Sequence, residues 1–187
     1  MGRLFSALQI PQQTTKALVS LQNGLPKAQW INPQNFHVTL SFFGEVESSL
    51  ADEIMHTFNT IELPSFTLQI KGFEVLGSEN APHSLVVRIE PCEKLTLLHE
   101  KMQYIRNKLE LKPDERLFIP HITLARIFDI NLKDLSSYLS FQDDFFVPPF
   151  EVDHFVLLLS ASPLNKAPYI VKGNWPLQKL KGVCHTL

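Results

Sequence analysis

The sequence predicts an α+β fold with two pseudo-symmetric lobes, each an antiparallel or mixed sheet with helices packed outside, and an active-site cleft between them. Three observations support this prediction. Strands and helices are mixed along the chain in the order β-α-β-α-β-β-α-β-α-β-β, which does not suit a single doubly wound parallel sheet. Several predicted strands alternate apolar and polar residues, as strands of antiparallel sheets do when one face is solvated. The pattern His-x-Thr-Leu occurs twice, at His37–Leu40 and His121–Leu124, which indicates an internal duplication.

The composition is that of an ordinary globular protein, with 44% hydrophobic and 19% charged residues among 187. We expect one bilobal domain over residues 1–187 with the lobes interleaved in sequence. A chain of this length can bury a hydrophobic core without the support of disulfides or a structural metal. The formal net charge of −2 argues against a large duplex-coating surface, which would need an excess of Lys and Arg. A local basic pocket for one phosphate remains compatible with this charge.

In the first part of the chain we predict a strand over Arg3–Gln9, ended by Pro11. A helix is predicted over Gln12–Gln22, and Asn23 with Gly24 stops it because both tolerate a left-handed backbone. The apolar residues on the buried face of this helix are Ala17, Leu18 and Leu21. The first His-x-Thr strand follows a loop.

Two more helices and two strands are predicted before the second motif. They are a helix over Ser48–Phe58, a strand over Phe66–Phe73, a strand over Leu85–Ile89 and a helix over Glu93–Leu109. The stretch Gly77–Pro82 is predicted as a loop. Period-two alternation marks the first strand and an apolar stripe at helical spacing marks the second helix.

After the second motif we predict a short helix over Leu132–Leu139 and a strand over Val152–Ser160. The segment 167–175 is predicted as a final strand, and the last dozen residues as a loosely ordered end. The aromatic run around Phe145 and Phe146 is more typical of a core than of a base-stacking platform.

The two cysteines, Cys92 and Cys184, have no metal-binding spacing, and we expect free thiols in a reducing, cytoplasmic compartment. The longest nearly apolar run, Phe155–Leu159, is too short to cross a membrane. We expect no cofactor, no metal, no membrane partner and a monomer. The remaining histidines form no metal pattern and are expected to be structural or exposed; they are His56, His83, His99, His154 and His185.

The doubled motif places imidazoles beside hydroxyls. In a strand, residues i and i+2 point to the same face, so His37 shares a face with Thr39 and His121 with Thr123. If the two lobes are related by a pseudo-twofold axis, these polar faces meet across a cleft. The cleft would then hold two imidazoles and two hydroxyls.

That set of groups suits the opening of a cyclic phosphodiester. The reaction needs a base that activates water and an acid that protonates the leaving oxygen, and histidine can fill either role near neutral pH. Threonine hydroxyls can donate to the non-bridging phosphate oxygens, where charge sits in the transition state. No metal is required for this chemistry.

Four segments carry a resemblance to a known family. They are "RLFSALQIP" near the start, "NFHVTLSFFGEV", "PHITLAR", and the closing "HFVLLLSASP" with "YIVKGNWPL". Together they resemble the two-histidine (2H) phosphoesterases, and in particular the bacterial RNA 2′,3′-cyclic phosphodiesterases, historically called 2′-5′ RNA ligases. The resemblance covers nearly the whole chain, and its most specific element is the doubled His-x-Thr.

The resemblance implies metal-independent hydrolysis of a ribose 2′,3′-cyclic phosphate to a 2′-phosphomonoester, with an RNA or nucleotide carrying that end as partner. By the same analogy His37 is the proton donor to the 3′ leaving oxygen and His121 is the acceptor that activates water. Thr39 and Thr123 hold the phosphate. The residues alone leave open which histidine is the acid.

The resemblance also adds Arg126 as a substrate-binding residue. Strand alternation places Arg126 on the face opposite His121, so a bulge or a strand end would be needed to turn it inward. The same alternation places Phe43 on the face of His37, as a candidate for stacking on a base. The C-terminal hairpin is poorer in Gly and Arg than is usual for the family, and Lys166 is a candidate for contacting a longer RNA.

Two other functions are compatible with the sequence. The first is another activity of the same superfamily that acts on a different bond. The protein would then be a 2′-5′ phosphodiesterase, an ADP-ribose cyclic phosphate phosphodiesterase or a 2′-5′ RNA ligase. The other is a non-catalytic module that binds RNA or nucleotides. Since both histidines and both threonines are present, the site is complete enough to favour an enzyme.

Overall fold

The computed structural model describes residues 2–78, 81–113, 117–142, 145–160 and 167–178. Within these residues it contains ten strands and four α-helices. The strands are β1 (Arg3–Gln9), β2 (Ala28–Trp30), β3 (His37–Gly44), β4 (Phe66–Leu68), β5 (Ile70–Ser78), β6 (Ala81–Ile89), β7 (His121–Ile127), β8 (Phe150–Val152), β9 (His154–Ser160) and β10 (Ile170–Pro176). The helices are α1 (Gln12–Val19), α2 (Ser48–Phe58), α3 (Glu93–Lys108) and α4 (Leu132–Ser140).

Eight of these strands form one sheet in the order β10-β9-β1-β3-β7-β6-β5, with β2 also paired to β7. All of its pairings are antiparallel. Strands β3 and β7 meet at one residue pair, Val38 with Ile122. That pair divides the sheet into two half-sheets, β10-β9-β1-β3 and β7-β6-β5 with β2. The predicted two-lobed α+β fold is confirmed.

The main hydrophobic core lies on one face of this sheet, and α1, α2 and α3 pack there. Leu18 of α1, Ile54 of α2 and Leu98 of α3 share a core with Val38 and Ile122, all of them fully buried. Helix α4 packs on the second half-sheet, because its Leu135 and Tyr138 share a buried cluster with Leu85 of β6 and Ala125 and Ile127 of β7. Because the helices occupy this face, the opposite face of β3 and β7 is left for polar side chains. None of the described helices is long and apolar enough to span a membrane.

Several predicted element bounds differ from the structure. The single strand predicted over Phe66–Phe73 is two strands, because β4 pairs with β8 in a separate small sheet whereas β5 joins the main sheet. Between them, Gln69 Nε2 donates to the carbonyls of Ile70 and Val147 at the point of the switch. The loop predicted over Gly77–Pro82 is wrong, since β5 and β6 form a hairpin whose pairing continues to Ser78 and Ala81.

Two further predictions need correction, one for the end of α1 and one for the end of the chain. Helix α1 ends at Val19, three residues before the predicted end, and a turn in which Gln22 N–H donates to the Val19 carbonyl follows it. The end of the chain is ordered further than expected, because Leu177 is buried in the main core and Gln178 bridges Pro64. Residues 179–187 lie outside the described residues.

Candidate active site

His37 and His121 begin β3 and β7, and both rings are anchored in the same way. The Nδ1 atom of His37 lies 2.6 Å from the carbonyl oxygen of Asn35, and Nδ1 of His121 lies 2.6 Å from that of Ile119. A carbonyl oxygen can only accept, so Nδ1 carries the proton in each neutral ring. Each Nε2 is therefore the atom that can take up or give away a proton.

The single pair between β3 and β7 brings the two motifs together. Val38 pairs with Ile122, and His37 with Thr39 and His121 with Thr123 flank that pair on the two strands. The two histidines are close enough for the charge of His121 to lower the pKa of His37. Within β3, Thr39 Oγ1 lies 3.0 Å from Nε2 of His37 and donates to it when the ring is neutral. The four predicted side chains therefore lie together on the face of the sheet that the helices leave open.

A β-bulge follows Thr39 in β3. Ser41 pairs with Ser6 and Thr39 pairs with Ala7, so Leu40 is an extra residue between two successive residues of β1. Leu40 and Ser41 are consecutive in sequence and both buried. The bulge reverses the parity of the strand beyond it.

The bulge exchanges the roles of two phenylalanines. Phe42, which a regular strand would turn toward the core, pairs with Phe5 on the open face and is 40% exposed. Phe43, the sequence candidate for stacking on a base, packs against Phe58 in the main core. The prediction for Phe43 is therefore wrong, and the exposed ring on that face belongs to Phe42.

Strand β7 has a bulge at the equivalent position. Leu85 of β6 pairs with Ala125 and Val86 pairs with Thr123, so Leu124 is the extra residue. Leu124 and Ala125 are both buried. The sequence carries a signal for this irregularity, because Leu-Ala places two apolar residues in succession within an alternating strand.

The second bulge turns Arg126 to the same face as His121. Regular alternation would place Arg126 on the opposite face, so the bulge is what brings it to the site. The guanidinium donates through Nη1 to Ser84 Oγ at 2.6 Å, which fixes its position on the neighbouring strand. Its charge lowers the pKa of His37 and of His121, and it opposes the rise that burial causes in the pKa of Tyr169.

Aromatic rings surround His37 on the first half-sheet. The Phe5 ring centroid is 5.1 Å from that of His37, and the Tyr169 centroid is 5.4 Å from it in an edge-on arrangement. Phe5 and Tyr169 also contact each other at 5.0 Å. Sequence reasoning missed both residues, because their proximity to His37 depends on strand pairing and on a loop before β10.

Burial sets the protonation of the two histidines in the free protein. Burial, opposed by the Asn35 carbonyl and assisted by the positive charges of His121 and Arg126, lowers the pKa of His37 to about 4. Burial also lowers the pKa of His121, whereas the Ile119 carbonyl and the Glu74 carboxylate raise it. His37 is therefore neutral at pH 7 when no anion is bound.

An ion pair on the open face of the second half-sheet was also missed. Arg88 pairs with His121 across the β6–β7 ladder, and its Nε lies 3.2 Å from Oε2 of Glu74 on β5. Nothing in the sequence joined these two residues, because the contact spans two strands whose register was not known. Among the described residues no three His, Cys, Asp or Glu side chains converge as metal ligands. Lys166 lies outside the described residues.

The doubled motif is also seen when the chain is compared with known protein families. The model of the LigT-like phosphoesterase family matches the chain twice, over residues 8–86 and 87–166, and each match contains one His-x-Thr-Leu. The chain belongs to this family. Membership in the family confirms the resemblance to the 2H phosphoesterases that the sequence motifs indicated.

Relatives that share the family span most of the chain. An RNA 2′,3′-cyclic phosphodiesterase of Thermotoga maritima is 30% identical over 133 residues, which cover 67% of this chain and 70% of that protein. A protein of the same name from Methanocaldococcus jannaschii is 25% identical and covers 92% of this chain and 99% of its own.

Solved structures share the fold. The crystal structure of E. coli LigT in its apo form has a TM-score of 0.71 at 23% identity, covering 95% of this chain and 98% of that one. A protein of Thermus thermophilus has a TM-score of 0.76 at 22% identity, with the same coverage. At these identities the likeness establishes the fold.

Proposed function

We propose that this protein hydrolyses the 2′,3′-cyclic phosphate ends of RNA to 2′-phosphomonoesters without a metal, using His37 and His121 as an acid–base pair. The observation that carries the proposal is the matched anchoring of the two rings, each fixed through Nδ1 to a backbone carbonyl 2.6 Å away. The names of the relatives point to the same bond, since they are RNA 2′,3′-cyclic phosphodiesterases. E. coli LigT has also been solved in complex with 3′-AMP.

In the proposed reaction the free Nε2 of His121 takes a proton from water. The resulting hydroxide attacks phosphorus in line with the bond to the ribose 3′ oxygen. That bond breaks as protonated His37 gives its Nε2 proton to the 3′ oxygen, which leaves the phosphate on the 2′ oxygen. The reaction ends with His121 protonated and His37 neutral, and exchange with solvent restores the starting state.

Thr39, Thr123 and Arg126 stabilise the phosphate in this proposal. Hydroxyl and guanidinium donors on the same face can contact the non-bridging oxygens, where negative charge concentrates in the transition state. The Ser84 contact keeps the Arg126 guanidinium in place before substrate binds. A bound phosphate anion also raises the pKa of nearby imidazoles, so that His37, with a pKa of about 4 in the free protein, can be protonated in the complex.

The test uses a short RNA that ends in a 2′,3′-cyclic phosphate, with purified protein and excess chelator. We expect conversion to the 2′-phosphate, and a fall of roughly 10²–10⁴-fold in kcat for His37→Asn and for His121→Asn, the range that one acid–base group contributes. His56→Asn is the matched control, because His56 is exposed on α2. It should retain wild-type activity.

Other outcomes separate the alternatives. Loss of activity in chelator would contradict metal independence. A 3′-phosphate product would show that the 2′ oxygen is the leaving group and not the 3′ oxygen. Full activity in either active-site histidine variant would overturn the paired mechanism. Nucleotide binding without turnover would favour a binding module, and preferential cleavage of 2′-5′ linkages would move the activity within the superfamily.

A further inference from the structure

The two bulge carbonyls are each held by a donor from outside the sheet. Leu40 O, in the first motif, accepts from His99 Nδ1 of α3 at 2.8 Å. Leu124 O, in the second, accepts from the Ile31 amide at 2.8 Å and from Gln22 Nε2 at 3.3 Å. The same backbone irregularity is thus supported by a side chain in the first half, and by a backbone amide together with a side chain in the second.

His99 is placed to affect both motifs. Its ring stacks on Phe118, with centroids 3.9 Å apart and planes within 5°. Phe118 belongs to the segment that leads into β7 and precedes Ile119, whose carbonyl anchors His121. One imidazole therefore contacts the backbone of the first motif and the approach to the second.

A bulge leaves backbone groups outside the regular ladder, and a buried carbonyl without a donor is unfavourable. Leu40 is 2% exposed, so solvent cannot readily replace the His99 donor. If the carbonyl lost this donor, the strand could relax toward a regular pairing. That relaxation would move Thr39 on one side of the bulge and Phe42 on the other.

We propose that His99 is a positioning residue for the catalytic site. It touches no reacting group and acts through the Leu40 carbonyl, by fixing the bulge that sets the placement of His37, Thr39 and Phe42. This role rests on the proposed function of the site. It also assigns a purpose to a histidine that the sequence pattern left among the structural ones.

Two substitutions separate the donor from the ring. His99→Phe keeps a flat ring against Phe118 and removes the donor to Leu40. His99→Asn keeps a donor near the position of Nδ1 and removes the ring. Gln22→Leu is the matched change in the second motif, where the Ile31 amide still donates to Leu124 O.

We expect kcat of H99F to fall about ten- to a hundredfold with the RNA substrate, since a displacement near 1 Å at a reacting group costs on that scale. KM should rise by a smaller factor than the fall in kcat, because His37 and Thr39 act on the reacting phosphate, whereas Phe42 also moves with the bulge and would contact only the base. H99N should retain kcat within about threefold of wild type, and Q22L should do the same. Thermal unfolding of each variant shows whether it is folded at the assay temperature.

Wild-type kcat in a folded H99F would overturn the proposal, and so would an H99N as impaired as H99F. If H99F does not fold, H99N is compared with Phe118→Leu, which also keeps the donor. Both should then hold kcat within threefold, and a larger loss in H99N alone would overturn the proposal.

A second readout does not depend on turnover. The backbone amide signals of residues 39–42 should shift in H99F and stay close to wild type in H99N. If the wild-type protein hydrolyses no cyclic phosphate while these shifts occur, the proposed function fails and the positioning of the bulge by His99 stands. Unchanged signals in H99F would refute the positioning role itself.

Discussion

The imidazole of His37 is enclosed by four groups, the Asn35 carbonyl, the Thr39 hydroxyl and the rings of Phe5 and Tyr169. None of them carries a negative charge that would stabilise an imidazolium. The surroundings therefore favour a neutral, oriented ring and leave the proton to be acquired with the substrate's negative charge. In the proposed mechanism, this arrangement couples acid catalysis by His37 to the presence of phosphate.

The buried neutral state of His37 also links folding to pH. Its pKa is about 4 in the folded protein and near 6.5 when unfolded, so the unfolded chain binds more protons between these values. Stability from this group is present above pH 6.5 and is lost as pH falls toward 4. We expect the free energy of unfolding of the wild type to fall by about 2 kcal/mol more than that of His37→Asn between pH 7.5 and pH 5.

Urea unfolding at both pH values measures this difference, and His56→Asn is again the control with an exposed ring. Equal pH dependence in the wild type and in His37→Asn would show that the ring is not held neutral. The titration of His37 followed by NMR gives the same pKa directly. Added inorganic phosphate should raise it.

The residue types and spacing of the site could be predicted from the sequence because they depend only on strand alternation over three residues. His37 with Thr39 and His121 with Thr123 share a face in any strand that contains them. Arg126 lies five residues beyond His121, where alternation alone gives the opposite face. Its position depends on an extra residue in β7 relative to β6. The register between two strands cannot be read from the local sequence of one of them.

At the scale of elements, the two bulges are the feature that shapes the site. Each follows His-x-Thr, each has leucine as its extra residue, and each brings the residue two positions later to the open face. In β3 that residue is Phe42 and in β7 it is Arg126. The backbone is therefore repeated while the side chains differ, with an aromatic ring in one half-sheet and a cation in the other.

A pair of alanine substitutions tests the parity that the bulge sets. We expect Phe43→Ala to lower the free energy of unfolding by about 3–5 kcal/mol, the cost of removing a buried aromatic ring. Phe42→Ala should change it by about 1 kcal/mol or less, since the ring is 40% exposed, and should instead raise KM for a cyclic-phosphate RNA. Chemical denaturation and steady-state kinetics give the two quantities.

If β3 had no bulge, the result would be reversed, and Phe42→Ala would cause the larger loss in the free energy of unfolding.

The helices and most strands were predictable to within a few residues because their apolar periodicity is strong. The division between β4 and β5 was not, because both strands alternate in the same way and only their partners, β8 and β6, differ.

At the scale of the whole molecule, the two half-sheets are joined by a single ladder pair and by the main core. Leu98 and Met102 of α3 belong to the same core as Val38 of the first half-sheet and Ile122 of the second. A continuous core across both halves favours cooperative unfolding. We therefore expect one domain in the thermodynamic sense.

The two tryptophans allow this to be measured, because Trp30 lies on β2 in one half-sheet and Trp175 on β10 in the other. Trp30→Phe and Trp175→Phe each leave one fluorescent reporter. Within each variant, the urea midpoint from fluorescence should coincide with that from circular dichroism. Separate midpoints would show that the half-sheets unfold independently. Comparing probes within a variant allows for the lost hydrogen bond from Trp175 Nε1 to Asn59.

The strand order has a consequence for how the protein is made. Strand β1 is enclosed between β3 and β9, and residues as far apart as Arg3 and Ser160 are direct partners. Contacts of such high sequence separation slow folding, since a long loop must close before they form. On a ribosome, His37 and His121 emerge before β9 and β10 do. The half-sheet that holds His37 can be completed only when β9 and β10 have been synthesised, so the edge of β1 that pairs with β9 stays unpaired in the nascent chain until then.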